Sequence, residues 1–195
     1  MIKVPGSEFF IGETPVTQQL WEAIIDNNPS HFTDSKFAPV ENISHKDCEA
    51  FIERLNSLAG ETFRLPSMKE WVLAARGGVN GDSFKYAGSN DPEEVGWFNR
   101  KTMPVRLKKP NRIGLFDMTG NVWEWCDDVA PVKRVMFSDK PTERVKLPDG
   151  EIIIPTYYYL KGGRIVNGYS TSTIGSTNSF GEYYRNAHLG MRLAL

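Results

Sequence analysis

Apolar positions recur at helical spacing in the first part of the chain and lose that period afterwards. Leu20, Trp21, Ile24 and Ile25 fall on one helical face behind Thr17, a capping residue, and Asn27, Asn28 and Pro29 stop the run. A longer stripe of Cys48, Phe51, Ile52, Leu55 and Leu58 follows Ser44, with Asp47 at the capping-box position and Gly60 behind it. Ser67 and Glu70 open a third, shorter helix that Gly77 and Gly78 close. Beyond Gly78 the pattern is one of short strands and loops, with a hairpin predicted around L-P-D-G-E-I-I-I-P-T-Y-Y-Y-L and another strand or hairpin at M-I-K-V-P-G-S-E-F-F-I-G. Neither a break in composition nor an internal repeat divides the chain. The pattern predicts one α+β domain over 1–195, helices first and a loop-rich β region after.

Charge and composition narrow the function. The 23 basic and 24 acidic residues of the 195 nearly cancel, which argues against a nucleic-acid partner. No apolar run approaches the ~20 residues of a membrane span, and M-I-K-V-P-G-S-E-F-F lacks the apolar core of a signal peptide. These features predict a soluble chain without membrane insertion. Cys48 and Cys126 share no C-x-x-C spacing, so neither a zinc site nor a disulfide framework is expected, and Cys48 reads as a core residue. His31, His45 and His188 are scattered, which argues against a three-histidine iron site, and His45 on a helix first turn reads as a solvated polar residue.

Four segments are more specific: P-V-E-N-I-S-H-K-D-C-E-A-F (39–51), F-R-L-P-S-M-K-E-W-V-L-A-A-R-G-G (63–78), G-L-F-D-M-T-G-N-V-W-E-W-C-D-D (114–128), and K-G-G … G-M-R-L-A-L (161–195). In this order they resemble the sulfatase-modifying-factor family, whose founder is the formylglycine-generating enzyme and whose corresponding motifs include R-G-G-S-W. The resemblance implies a C-type-lectin-like fold, with two helices flanking a small twisted antiparallel sheet and long structured loops. It also implies a calcium site at Asp117, the Gly120 and Val122 carbonyls, and Glu124, a hard-oxygen donor set suited to that ion. The family's enzyme binds copper through two cysteines after that R-G-G-S-W. Here Asn167 and Ser172 stand at those positions and neither supplies a thiolate, so no copper or iron is expected and the resemblance implies a non-catalytic protein. A metal-dependent oxidase or sulfoxide synthase with a rearranged site is the alternative; a structural accessory subunit is a third reading.

Sixteen of the twenty residues Asn167–Asn186 are Ser, Thr, Asn, Gly or Tyr. Such a run reads as a disordered loop by composition alone. Its spacing between Gly162-Gly163 and Gly190-Met191-Arg192 is that of the family's ordinary fold, and Arg185 falls where relatives place an arginine, which predicts a structured segment. Tyrosine with small polar residues is also the chemistry of a paratope. The run is similar to the mutable segment of the variable proteins of diversity-generating retroelements, a branch of this family. That resemblance implies a binding face over residues 165–189 for a protein or glycan receptor, compatible with display on a cell surface or a virion. The residues expected to make contact are Asn167, Tyr169, Thr171, Thr173, Ser176, Asn178, Phe180, Tyr183, Tyr184, Asn186 and His188.

Overall fold

The computed structural model describes residues 1–98, 100–131, 144–163 and 169–195. The three predicted helices form where their caps lie. Helix α1 (Gln18–Ile25) begins at Thr17, whose hydroxyl accepts from the Leu20 amide, and Asp26 closes it in the left-handed region. Helices α2 (His45–Ala59) and α3 (Met68–Arg76) both carry the reciprocal capping box, Ser44 with Asp47 and Ser67 with Glu70, and end on Gly60 and Gly77. A four-residue helix α4 (Pro92–Val95), capped by Asp91, has too short an apolar pattern to be seen in sequence.

Strands β1 (Ile2–Lys3) and β2 (Phe10–Ile11) make the predicted N-terminal hairpin. Strands β4 (Val145–Lys146) and β5 (Ile152–Ile153) make the one around Leu147–Gly150. The central sheet holds β3 (Trp123–Ala130), β6 (Tyr157–Lys161), β7 (Asn178–Gly181) and β8 (Leu189–Met191), in the order β7-β6-β3-β8.

One feature differs from the expected antiparallel sheet: β8 runs parallel to β3, with Trp123 opposite Leu189 and Trp125 opposite Met191. Because β6 is antiparallel to both β3 and β7, β7 and β8 run the same way on opposite edges. The chain between them must therefore cross over. That crossover is clamped to the start of α2, where Lys46 pairs with Glu182 at 3.2 Å and Asp47 takes Arg185 through two bonds of 2.6 and 2.7 Å.

The first half of strand β3, Trp123 to Cys126, is buried on both faces, and its alternation divides the core. Trp123 and Trp125 enter an apolar cluster with Trp21, Ile43, Phe51 and Leu160, whereas Cys126 enters a second one with Trp71, Leu115, Met118 and Ile174. Burial of these large side chains drives assembly at about 25 cal/mol per Å² of apolar surface. Among the described residues no helix is long and apolar enough to cross a membrane.

Candidate functional site

The strand that divides the core also carries the most buried charge. Glu124 and Arg192 are both fully buried and form an ion pair at 2.9 Å. The Arg192 Nε donates to both carboxylate oxygens, Nη2 donates to Oε1, and the Trp71 indole N–H donates to Oε2. The remaining guanidinium donors reach the carbonyls of Gly12 and Phe116 at 2.8 Å each. Three N–H groups thus point at the carboxylate, one of them shared between its two oxygens.

Glu124 thus faces the Arg192 guanidinium as its cation. Asp117 lies nearby, its Oδ2 accepting from the Arg106 amide at 2.9 Å. Burial raises its carboxyl to about 6, against the pull of that amide and of Arg192. Gly120 and Val122 serve the turn itself. A side chain on Gly120 would strike the Trp97 carbonyl at 2.3 Å, and φ there is +71°. The set Asp117, Gly120, Val122 and Glu124 thus closes a tight turn over a buried ion pair. Among the described residues there is no cluster of three or more His, Cys, Asp or Glu side chains able to hold a metal ion.

The expected contact residues fall into three groups. The first surrounds a concavity of about 210 Å³ whose lining includes Trp123, Ser170, Thr171, Ser176, Thr177 and Asn178. Apart from the indole, these side chains offer hydroxyls and one amide and carry no charge. Thr173 and Ser176 share a hydrogen bond of 2.8 Å on the rim. Tyr169, 47% exposed at the start of a 3-10 turn, donates its hydroxyl to Glu93 at 2.7 Å and stands edge-on to Phe98, with ring centroids 4.8 Å apart. Sequence reasoning missed Glu93 and Phe98, which lie more than seventy positions away.

The second group is a stacked pair. Phe180 and Tyr184 lie 4.4 Å apart at 19° and rest against the first core cluster. Tyr183 next to them is half-buried. In the third group His188 stacks on Phe32 at 5.9 Å, and the Asn186 carbonyl accepts from the Asn42 and Leu189 amides. Asn167 lies outside the described residues, as do Arg164 and Ile165.

Between the outward residues of the loop, others point in. Ser172, Ile174 and Ser179 are buried, and Ile174 fills the second core cluster. Ser172 packs so closely on Gly163 (φ +82°) that a Cβ there would lie 2.2 Å from its hydroxyl oxygen. Both cysteines are enclosed, one in each core cluster, and burial pushes each thiol up, away from the thiolate a soft metal needs. His45, expected in solvent, is instead buried: its ring stacks on Tyr158 at 3.6 Å and meets Trp125 edge-on. Desolvation lowers its pKa to about 4. The helix start is covered by the sheet, a burial that local sequence does not reveal.

Residues 2–195 match the Sulfatase-modifying factor enzyme 1-like domain. The chain belongs to that family. Among curated relatives, the chain is 32% identical over 174 residues to the chaperone protein LppX of Paenibacillus barcinonensis, covering 62% of each chain. It is 34% identical over 147 residues to the formylglycine-generating enzyme of Thermomonospora curvata, covering 65% of this chain and 41% of that one. The chain thus spans less than two thirds of the length of these family members. Among solved structures it is similar to Treponema denticola variable protein 1, with a TM-score of 0.78 and 26% identity, over 95% of this chain and 84% of that one. The Major Tropism Determinant U1 variant shares the fold at a TM-score of 0.52 and 14% identity, over 77% and 37% of the two chains. The α+β, C-type-lectin-like fold of the family is the one observed.

Proposed function

We propose that this family member is a non-catalytic recognition module that binds a receptor, protein or glycan, through the surface built on residues 169–178. One observation carries the reading. The run forms an uncharged concavity of hydroxyl and amide groups beside an exposed tyrosine, while its inward residues anchor it to the core. Outward side chains of this kind make adaptable hydrogen bonds and amphipathic contacts at low entropic cost. The likeness to Treponema denticola variable protein 1 supports the same reading, and the chain then belongs with the variable proteins of diversity-generating retroelements. Phe180, Tyr183, Tyr184, Asn186 and His188 extend the surface; Asn167, also expected to make contact, lies outside the described residues.

Two tests bear on this. A reverse transcriptase gene beside the coding sequence, with an invariant near-copy of codons 165–189 differing chiefly at adenines, is expected; its absence removes the variable-protein assignment. Separately, oxygen uptake on a cysteine-containing peptide is expected to be nil after loading with Cu(I) or Fe(II). Turnover there would overturn the non-catalytic reading.

A further inference from the structure

We propose that Lys161 is the positioning residue of the recognition loop: its buried ammonium holds the main chain of residues 174–177, so that the loop's side chains can change while its path stays fixed. This rests on the reading of residues 169–178 as the ligand-binding surface.

Lys161 ends strand β6 and is 1% exposed. Its Nζ donates to the Ile174 carbonyl at 2.7 Å, the Ser176 carbonyl at 2.6 Å and the Thr177 hydroxyl at 3.2 Å. An ammonium has three protons, and all three are used. Two of the acceptors are main-chain carbonyls, present whichever residue occupies positions 174 and 176. The third is replaceable by water, because Thr177 is exposed.

A buried cation needs compensation. The Trp71 ring lies 5.6 Å from Nζ and supplies part of it. Among the described residues no carboxylate lies within ion-pair distance of Lys161. Glu124, opposite it in the sheet, is paired with Arg192 and accepts from Trp71. The loop carbonyls therefore solvate the ammonium, and the loop cannot leave without stranding the charge. The loop is also anchored where Ser172 packs on Gly163 and where Ile174 is buried, its amide donating to the Lys85 carbonyl at 3.0 Å. Lys161 extends these anchors along the turn to Thr177.

Burial lowers the Lys161 ammonium to about 8; of its neighbours, Cys126 on β3 opposes this and Arg76 on α3 adds to it. Lys69, also on α3, lines the same apolar groove of about 420 Å³ that Lys161 borders. Deprotonation leaves two N–H donors for three acceptors, so the loop is held below about pH 8 and loosens as pH rises through it.

Amide hydrogen exchange on the whole chain tests the proposal without any ligand, so its outcome is separable from that of the receptor reading. In Lys161→Met, protection of amides 172–178 is expected to fall about tenfold or more while α2 keeps its own, as befits loss of charge-assisted bonds. Lys161→Arg is expected to retain protection, since the groove gives a guanidinium room. After correction for intrinsic rates, wild-type loop protection falls between about pH 7 and about pH 9 and that of Lys161→Arg stays level. Wild-type protection in Lys161→Met, or a parallel loss in α2, overturns the proposal. Should Lys161→Met fail to fold, the pH profiles of wild type and Lys161→Arg decide alone: matching profiles overturn it.

Discussion

The Glu124–Arg192 centre and the 169–178 loop lie on one scaffold and are stabilised by opposite means. The centre is charged, has no exposure, and is held by a dense set of bonds to fixed partners. The loop is neutral and half-exposed, and it is held chiefly by its main chain. Side-chain identity is therefore critical in the first region and far less constrained at the outward positions of the second. A protein built this way can alter its binding chemistry without altering its fold.

Substitutions at three places break or sharpen that contrast. Arg192→Met is expected to have the largest effect. It leaves Glu124 as a buried charge without its cation and two carbonyls without donors, a loss of roughly 3–5 kcal/mol in urea unfolding. Adding Glu124→Leu to it should recover part of the loss, because the stranded charge is gone.

His45→Phe probes the scaffold through pH. The histidine pKa falls from 6.5 to about 4 on folding, so the unfolded chain takes up a proton first as pH drops. Relative to His45→Phe, the wild type should lose up to about 3 kcal/mol between pH 6.5 and about 4, and nothing above that window. Glu41 and Asp117, raised by burial to about 7 and about 6, act in the opposite direction, destabilising as pH rises. They are common to both proteins and cancel in the difference.

The smallest effect on stability belongs to the loop. Ser170→Ala, Thr171→Val, Ser176→Ala and Asn178→Ala should each shift unfolding by under about 0.5 kcal/mol. Combined, they should abolish retention of the receptor by the immobilised chain. A large stability loss from these four would erase the distinction between the two regions.

Much of the scaffold was legible in the chain. Capping residues and apolar stripes marked α1, α2 and α3. The spacing between Gly163 and Gly190 foretold a structured run, and Arg185 is indeed tied to Asp47. These signals are local or motif-borne, so they survive in one dimension.

What tertiary structure decided is where unlike groups from distant positions meet. Glu124 and Arg192 are 68 residues apart, and nothing near either one signals that they meet. Lys161 and the carbonyls it holds belong to different segments, as do Tyr169 and Glu93. His45 looked like a surface residue because its burial comes from Tyr158 and Trp125 on the sheet, not from its own helix. Sequence alone determined the elements and the family, because caps, periodicity and motifs act over a few residues. Only the assembled core could decide which charges are paired and which loop atoms are held, because desolvation and hydrogen-bond geometry exist only after distant segments pack.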